Sequence, residues 1–146
     1  MENGAMSPIN ALKAWIAGFL ATLLFHQTAL WLLLQATGMQ RPVWSMAPVP
    51  PLGIPQVISL AFWGGVWGIA LLALLRGRRG GARYGLATLY GALLPSIIAM
   101  LVVFPLKGQG FEPAGNLQFW IAALLLNGAW GLGTALFLSL QKADPR

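Results

Sequence analysis

Polar residues interrupt this chain rarely, and where they gather they divide it into four long apolar runs: Ala14 to Leu34, Val57 to Leu75, Tyr84 to Leu106 and Leu117 to Leu140. Each run is close to the ~20 residues that cross a ~30 Å hydrocarbon core as a helix rising ~1.5 Å per residue. The runs are apolar on every face. Helices of that kind occur at the centre of large soluble proteins, but a chain of 146 residues cannot enclose four of them in protein. Lipid has to do the enclosing. The predicted fold class is therefore all-α: a polytopic membrane protein of four transmembrane helices, arranged as two helical hairpins in one domain over residues 1–146. The first run is longer than the apolar region of a signal peptide, and Leu34-Gln35-Ala36 is a poor small-x-small cleavage site, so it is expected to be retained as a helix.

Composition agrees with this pattern. The chain is 58% hydrophobic and 8% charged, whereas an ordinary soluble domain is about 25% charged. The net charge of +6 invites a nucleic-acid partner, but the basic residues are placed as they are at one side of a membrane. Arg76, Arg78, Arg79 and Arg83 crowd the link between the second and third runs, Lys13 precedes the first, and Lys142 and Arg146 follow the fourth. Only Arg41 and Lys107 lie in the other two links, with Glu112. Basic residues stay on the cytoplasmic side during insertion, which puts both termini and the arginine link inside. That link lacks the Walker spacing of a phosphate loop, and it reads as a topology determinant touching anionic headgroups.

The segment from Gln35 to Gln56 carries Pro42, Pro48, Pro50, Pro51 and Pro55 with Trp44. Proline lacks an N–H and disfavours helix in the residue before it, so no continuous helix is expected there. The segment is expected to lie along the outer interface or fold over the mouth of the bundle, or to serve as a docking surface. Met39 and Met46 alone do not make a copper site.

Within the helices, Gly65-Val66-Trp67-Gly68 matches Gly128-Ala129-Trp130-Gly131, an internal repeat that fits two hairpins of the same orientation. Small residues four apart let helix backbones approach in lipid. Such pairs are Gly64 with Gly68, Ala129 with Gly133, Gly81 with Gly85, and Gly18 with Thr22. They serve contacts within one chain or between copies. Trp15, Trp31 and Trp120 fit the interfacial belts, and the deeper Trp63, Trp67 and Trp130 are expected as knobs over facing glycines.

Polar residues at membrane depth are the best pointers to function, because they are costly there without a partner. His26, Ser96 and Asn127 all fall ~18 Å from the cytoplasmic end of their runs, counted at ~1.5 Å per residue. They form a candidate midplane layer. Gly18, Thr22 and His26 are spaced by four and share a helix face, with Gln27 and Thr28 directed elsewhere. Pro95 is expected to kink the third helix and free the Gly91 carbonyl. His26 then either handles protons or a ligand, or glues helices as a neutral hydrogen-bonded imidazole.

Chemistry beyond this layer is sparse. Glu2, Glu112 and Asp144 are the only carboxylates and all lie outside the runs, so neither paired-carboxylate nor Ser-His-Asp catalysis is evident. A Ser96–His26 dyad lacks an orienting acid. One histidine cannot hold a bis-histidine haem, and the absence of cysteine removes disulfides and thiolate metal sites. No enzyme, cofactor or metal is expected.

At Gly18-Phe19-Leu20-Ala21-Thr22-Leu23-Leu24-Phe25-His26-Gln27, at Met46-Ala47-Pro48-Val49-Pro50-Pro51-Leu52-Gly53-Ile54-Pro55 and at Ala61-Phe62-Trp63-Gly64-Gly65-Val66-Trp67-Gly68, the chain resembles a group of uncharacterised small four-helix bacterial inner-membrane proteins. The resemblance implies a multi-pass protein of that membrane and brings no activity, cofactor or partner. The expected role is an accessory or interaction protein that packs through its glycine faces against itself or a larger membrane complex. The alternative is a small transporter or channel lined by the polar layer.

Overall fold

A computed structural model describes residues 5–143. It is all-helical, with four helices long and apolar enough to cross a membrane: α1 (Pro8–Thr37), α2 (Gln56–Leu74), α3 (Gly80–Leu106) and α4 (Leu117–Leu140). Three of them begin earlier than the apolar runs indicate, α1 at Pro8, α2 at Gln56 and α3 at Gly80, and in α1 the extension is due to its cap. Ser7 caps α1 by accepting from the Asn10 N–H, with Pro8 in the first turn, where its missing N–H costs nothing. Gly38, at φ +70°, closes α1 and returns its N–H to the Leu34 carbonyl at 2.9 Å, the left-handed stop that glycine adopts without strain. Asn116 caps α4 by accepting from the Gln118 N–H at 2.9 Å.

Between α1 and α2 the chain forms a strap, residues 38–55. It contains two short antiparallel strands, β1 (Pro48–Val49) and β2 (Ile54–Pro55). The Ala47 and Ser45 carbonyls accept the N–H groups of Gln56 and Val57, so the strap caps the start of α2.

Small residues fill much of the interior, beside Leu72, Leu75, Met100, Leu138 and Trp130, while many large apolar side chains face outward. Ala14, Ala17, Ala21, Ala61, Ala87 and Ala135 are wholly buried, while Leu24, Leu60, Trp63, Leu101 and Leu125 are exposed. Water would drive the opposite sorting. In lipid, exposed leucine costs nothing and close backbone packing supplies the association.

Two glycine seams carry that packing. A methyl built on Gly18 would lie 2.9 Å from the Gly64 carbonyl carbon and 3.1 Å from the Gly68 Cα, so α1 and α2 touch through their backbones. On the other side, a methyl on Gly91 would lie 2.8 Å from the Gly131 Cα and 2.9 Å from the Asn127 carbonyl oxygen. The expected pair on α4 was Ala129 with Gly133. The seam with α3 instead uses Gly131 against Gly91 and Ala87, one helix face away. Gly133 receives the Phe25 ring of α1, Ala129 is half-buried, and Gly81 and Gly85 face open space. The knobs over glycines also differ from expectation: Trp15 covers Gly65 and Phe25 covers Gly133.

The sequence repeat performs the same task twice. Gly68 sits on Ala14 and Gly18, and Gly131 sits on Ala87 and Gly91. In each hairpin, the last glycine of Gly-x-Trp-Gly thus meets an Ala-xxx-Gly pair on the preceding helix. Each of those preceding helices also contains a π-helical segment beyond its glycine, Thr22–His26 in α1 and Ala99–Val103 in α3.

Candidate functional site

The π segment in α1 organises the most polar part of the interior. Within it the Gln27 N–H bonds to the Thr22 carbonyl, five residues back, instead of to Leu23, four back. One extra residue in a turn rotates everything beyond it by about 100°. Gln27 therefore follows Gly18 and Thr22 onto the buried face, at 4% exposure, and His26 is left half-buried. This reverses the expected arrangement, in which His26 shared that face and Gln27 pointed away.

Leu23 loses its α-helical donor by the same shift, and the strap replaces it. The Trp44 indole Nε1–H donates to the Leu23 carbonyl oxygen at 2.7 Å. The Trp44 backbone N–H donates to Gln27 Oε1 at 2.9 Å. With Oε1 so engaged, the amide nitrogen of Gln27 faces His26 Nδ1 at 3.4 Å. The imidazole accepts there and carries its proton on Nε2 when neutral. Proline stiffening made Trp44 legible as part of a folded-back segment, but nothing in the apolar pattern of α1 marks Leu23 as its target.

Thr22 has a structural role. Its Oγ1 donates to the Gly18 carbonyl at 2.9 Å, and the same oxygen accepts from Trp130 Nε1 at 3.0 Å. One carbonyl thus joins α1 to α4.

Two members of the expected midplane layer do meet. Asn127 Nδ2 donates to Ser96 Oγ at 3.0 Å, and Ser96 is wholly buried. Among the described residues no hydrogen bond joins His26 to either. The polar layer is therefore two separate sites, Ser96 with Asn127 between α3 and α4, and His26 with Gln27 beneath the strap. Pro95 lies inside the α-helical part of α3, which continues to Ile98 and passes into the π segment Ala99–Val103.

At the arginine end, Arg76, Arg78 and Arg79 are exposed in the link. Arg83 differs. Its Nη2 donates to the Ala143 carbonyl at 3.1 Å, and its buried Nε has no partner among the described residues. A guanidinium there also complements the negative end of the α4 dipole. Glu2, Asp144 and Arg146 lie outside the described residues. Among those described, no three His, Cys, Asp or Glu side chains converge as a metal site.

Two openings among the described residues bear on function. One is a shallow gap between the hairpins, walled by Trp67 and Leu71 of α2, Tyr90, Leu94 and Pro95 of α3, and Trp130 of α4. The other is a cavity of about 260 Å³ between the last turns of α1 and the first part of the strap, lined by Trp31, Gln35, Gln40 and Arg41 among others. The Arg41 guanidinium lies 5.9 Å from the Phe119 ring centroid, within cation–π range.

Compared with known protein families, with curated proteins and with solved structures, the chain shows no significant match to any of them.

Proposed function

We propose that this chain is an accessory protein of a bacterial inner membrane, with both termini and the arginine link in the cytoplasm, that receives a transmembrane segment of a partner protein. The orientation follows from the basic residues gathered at one end of the bundle. The supporting observation for the partner is the gap between α2 and α3. The hairpins join mainly along α1 and α4, and the opposite side is left open at Trp67, Tyr90 and Pro95. Tyr90 is one of the residues that line this gap, and its side chain makes no hydrogen bond among the described residues. A hydroxyl at membrane depth gains from a polar side chain brought by a neighbouring helix. The glycine seams, by contrast, are consumed inside the chain, so the docking face is the gap and not the small-residue stripes.

A photoreactive residue at Leu94, in the gap, is expected to crosslink to a discrete protein in native membranes, while the same residue at Ile121, on the exposed face of α4, yields lipid adducts. Lipid adducts alone at both positions would count against a docked partner.

A second reading, transport, draws on the repeated hairpins with a π segment in each first helix, a layout that transporters use to place binding sites within the membrane. On the accessory reading, proteoliposomes containing the purified chain are expected to pass protons no faster than empty liposomes. A flux that His26→Ala abolishes would transfer preference to transport.

A further inference from the structure

The four helices do not end together on the strap's side of the bundle. Arg41, just past the end of α1, lies over the Phe119 ring in the first turn of α4, and that ring meets Phe104 in the last turn of α3 at 6.5 Å between centroids. Three helices thus share one outer plane, and α2 stops short of it. Gly64 packs on Gly18 and Thr22, and the same number of residues outward along both helices sets Gln56, the first residue of α2, level with Thr28. From there α1 runs on to Thr37, a further rise of roughly 13 Å at ~1.5 Å per residue.

The strap occupies the space above α2, and its hydrogen bonds fix its depth. Trp44 donates to Gln27 and to the Leu23 carbonyl, while Ser45 and Ala47 hold the start of α2. The hairpin tip cannot climb out of the bundle. Leu52 precedes Gln56 by only four residues, a reach of at most ~14 Å for extended backbone, so the tip ends no higher than the last turn of α1.

Irregular backbone at such depth is tolerated only where its polar groups are satisfied or turned to protein or water. The strap meets that condition. Pro42, Pro48, Pro50, Pro51 and Pro55 carry no N–H. The N–H groups of Trp44, Ala47 and Gly53 are bonded within the chain, to Gln27, Ser45 and Val49. Toward α1 the strap opens on the cavity at Gln35, Gln40 and Arg41. Residues 42–55 hold no charged side chain, and the exposed edge carries Met46, Leu52 and Ile54, with Leu52 at 77%. That edge runs on into the exposed apolar side chains of α2, Ile58 and Phe62.

We propose that the strap is a re-entrant segment of the outer leaflet, with Met46, Leu52 and Ile54 set among lipid acyl chains and Arg41 at headgroup level. An uncharged, donor-poor edge level with the hydrocarbon matches acyl chains in polarity. The strap thereby stands in for the outer turns that α2 lacks. The inference rests on the four helices crossing a membrane, and it is independent of a partner in the gap between α2 and α3.

The chain has no cysteine, so single nitroxide labels at Leu52→Cys, Met46→Cys, Gln109→Cys and Leu125→Cys are compared in nanodiscs that hold one copy of the full chain. Collision with oxygen, which concentrates in lipid, and with a water-soluble nickel chelate reads depth whichever way the chain is oriented. Leu125, exposed on α4, sets the lipid value, and Gln109, exposed in the link after α3, sets the water value. The labels at Leu52 and Met46 are expected to match Leu125, with nickel collision several-fold below that at Gln109. A Leu52 label that meets nickel as freely as Gln109 makes the strap an aqueous loop, and one that meets neither reagent makes it a face covered by protein; either result overturns the proposal. Failure of the membrane reading shows separately, as free nickel access at Leu125, and removes the proposal with it. Leu52→Asp needs no label: it is expected to lower the unfolding midpoint, because it brings a charge into hydrocarbon, while Gln109→Asp leaves the midpoint unchanged. Equal midpoints for the two would count against an embedded strap.

Discussion

Gly18→Ala and Gly91→Ala are each expected to destabilise the bundle by about 2 to 3 kcal/mol, the cost of overpacking a site that cannot relax, while Gly85→Ala leaves it unchanged or slightly more stable. The contrast depends on what one methyl group meets. At Gly18 it meets the Gly64 carbonyl and the Gly68 Cα, and at Gly91 it meets the Gly131 Cα and the Asn127 carbonyl oxygen. Backbone atoms of a packed helix cannot rotate aside, so the helices have to separate along the whole seam. At Gly85 nothing lies within 4 Å, and alanine gains roughly 0.5 to 1 kcal/mol in helix propensity over glycine. Unfolding midpoints in mixed detergent micelles, with denaturing detergent titrated against helical signal, measure all three. A fall for Gly85→Ala equal to that for Gly18→Ala would mean that α3 uses Gly85 for close contact as well, and the seam assignment would be lost.

The matching behaviour expected of Gly18 and Gly91 also bears on the repeat. Gly-x-Trp-Gly recurs in the sequence, but its counterpart, Ala14 with Gly18 and Ala87 with Gly91, is too ordinary a spacing to stand out among membrane helices. It becomes visible only when Gly68 and Gly131 are seen resting on the two pairs. The four helices themselves were legible because length and hydropathy alone decide them. The face each helix presents was less so. A helix apolar on all sides has no phase, and an inserted residue such as the one between Thr22 and Gln27 leaves no trace in its pattern. For that reason, depth counting found Ser96 and Asn127, which the structure joins, yet assigned His26 the inner position that Gln27 holds. On α4 the small residues Gly128, Ala129, Gly131 and Gly133 fall on successive faces, so spacing could not select Gly131.

Trp130→Ala is expected to cost about 3 to 5 kcal/mol, the range for deleting a large buried aromatic side chain, and to separate the two hairpins before either opens. Trp130 is 4% exposed and belongs to one cluster with Ala21 of α1, Leu71 of α2 and Ala87 of α3. Its indole N–H reaches the Gly18 carbonyl, which itself lies on the seam between α1 and α2. Among the described residues it is thus the side chain of α4 that hydrogen-bonds to the other hairpin's own seam. Trp130→Phe keeps most of the ring and loses that bond, and it should cost about 0.6 to 1 kcal/mol, the range for a side-chain hydrogen bond within a membrane. The size of the gap between the two variants separates packing from hydrogen bonding. Paired cysteines across the α1–α2 seam and across the α1–α4 contact, oxidised during the same detergent titration, report which interface opens first. For Trp130→Ala, disulfide formation should fail first between α1 and α4 and persist within the hairpin. Simultaneous loss at both would mean that the hairpins do not hold alone, and that the bundle folds as one unit through Gly18.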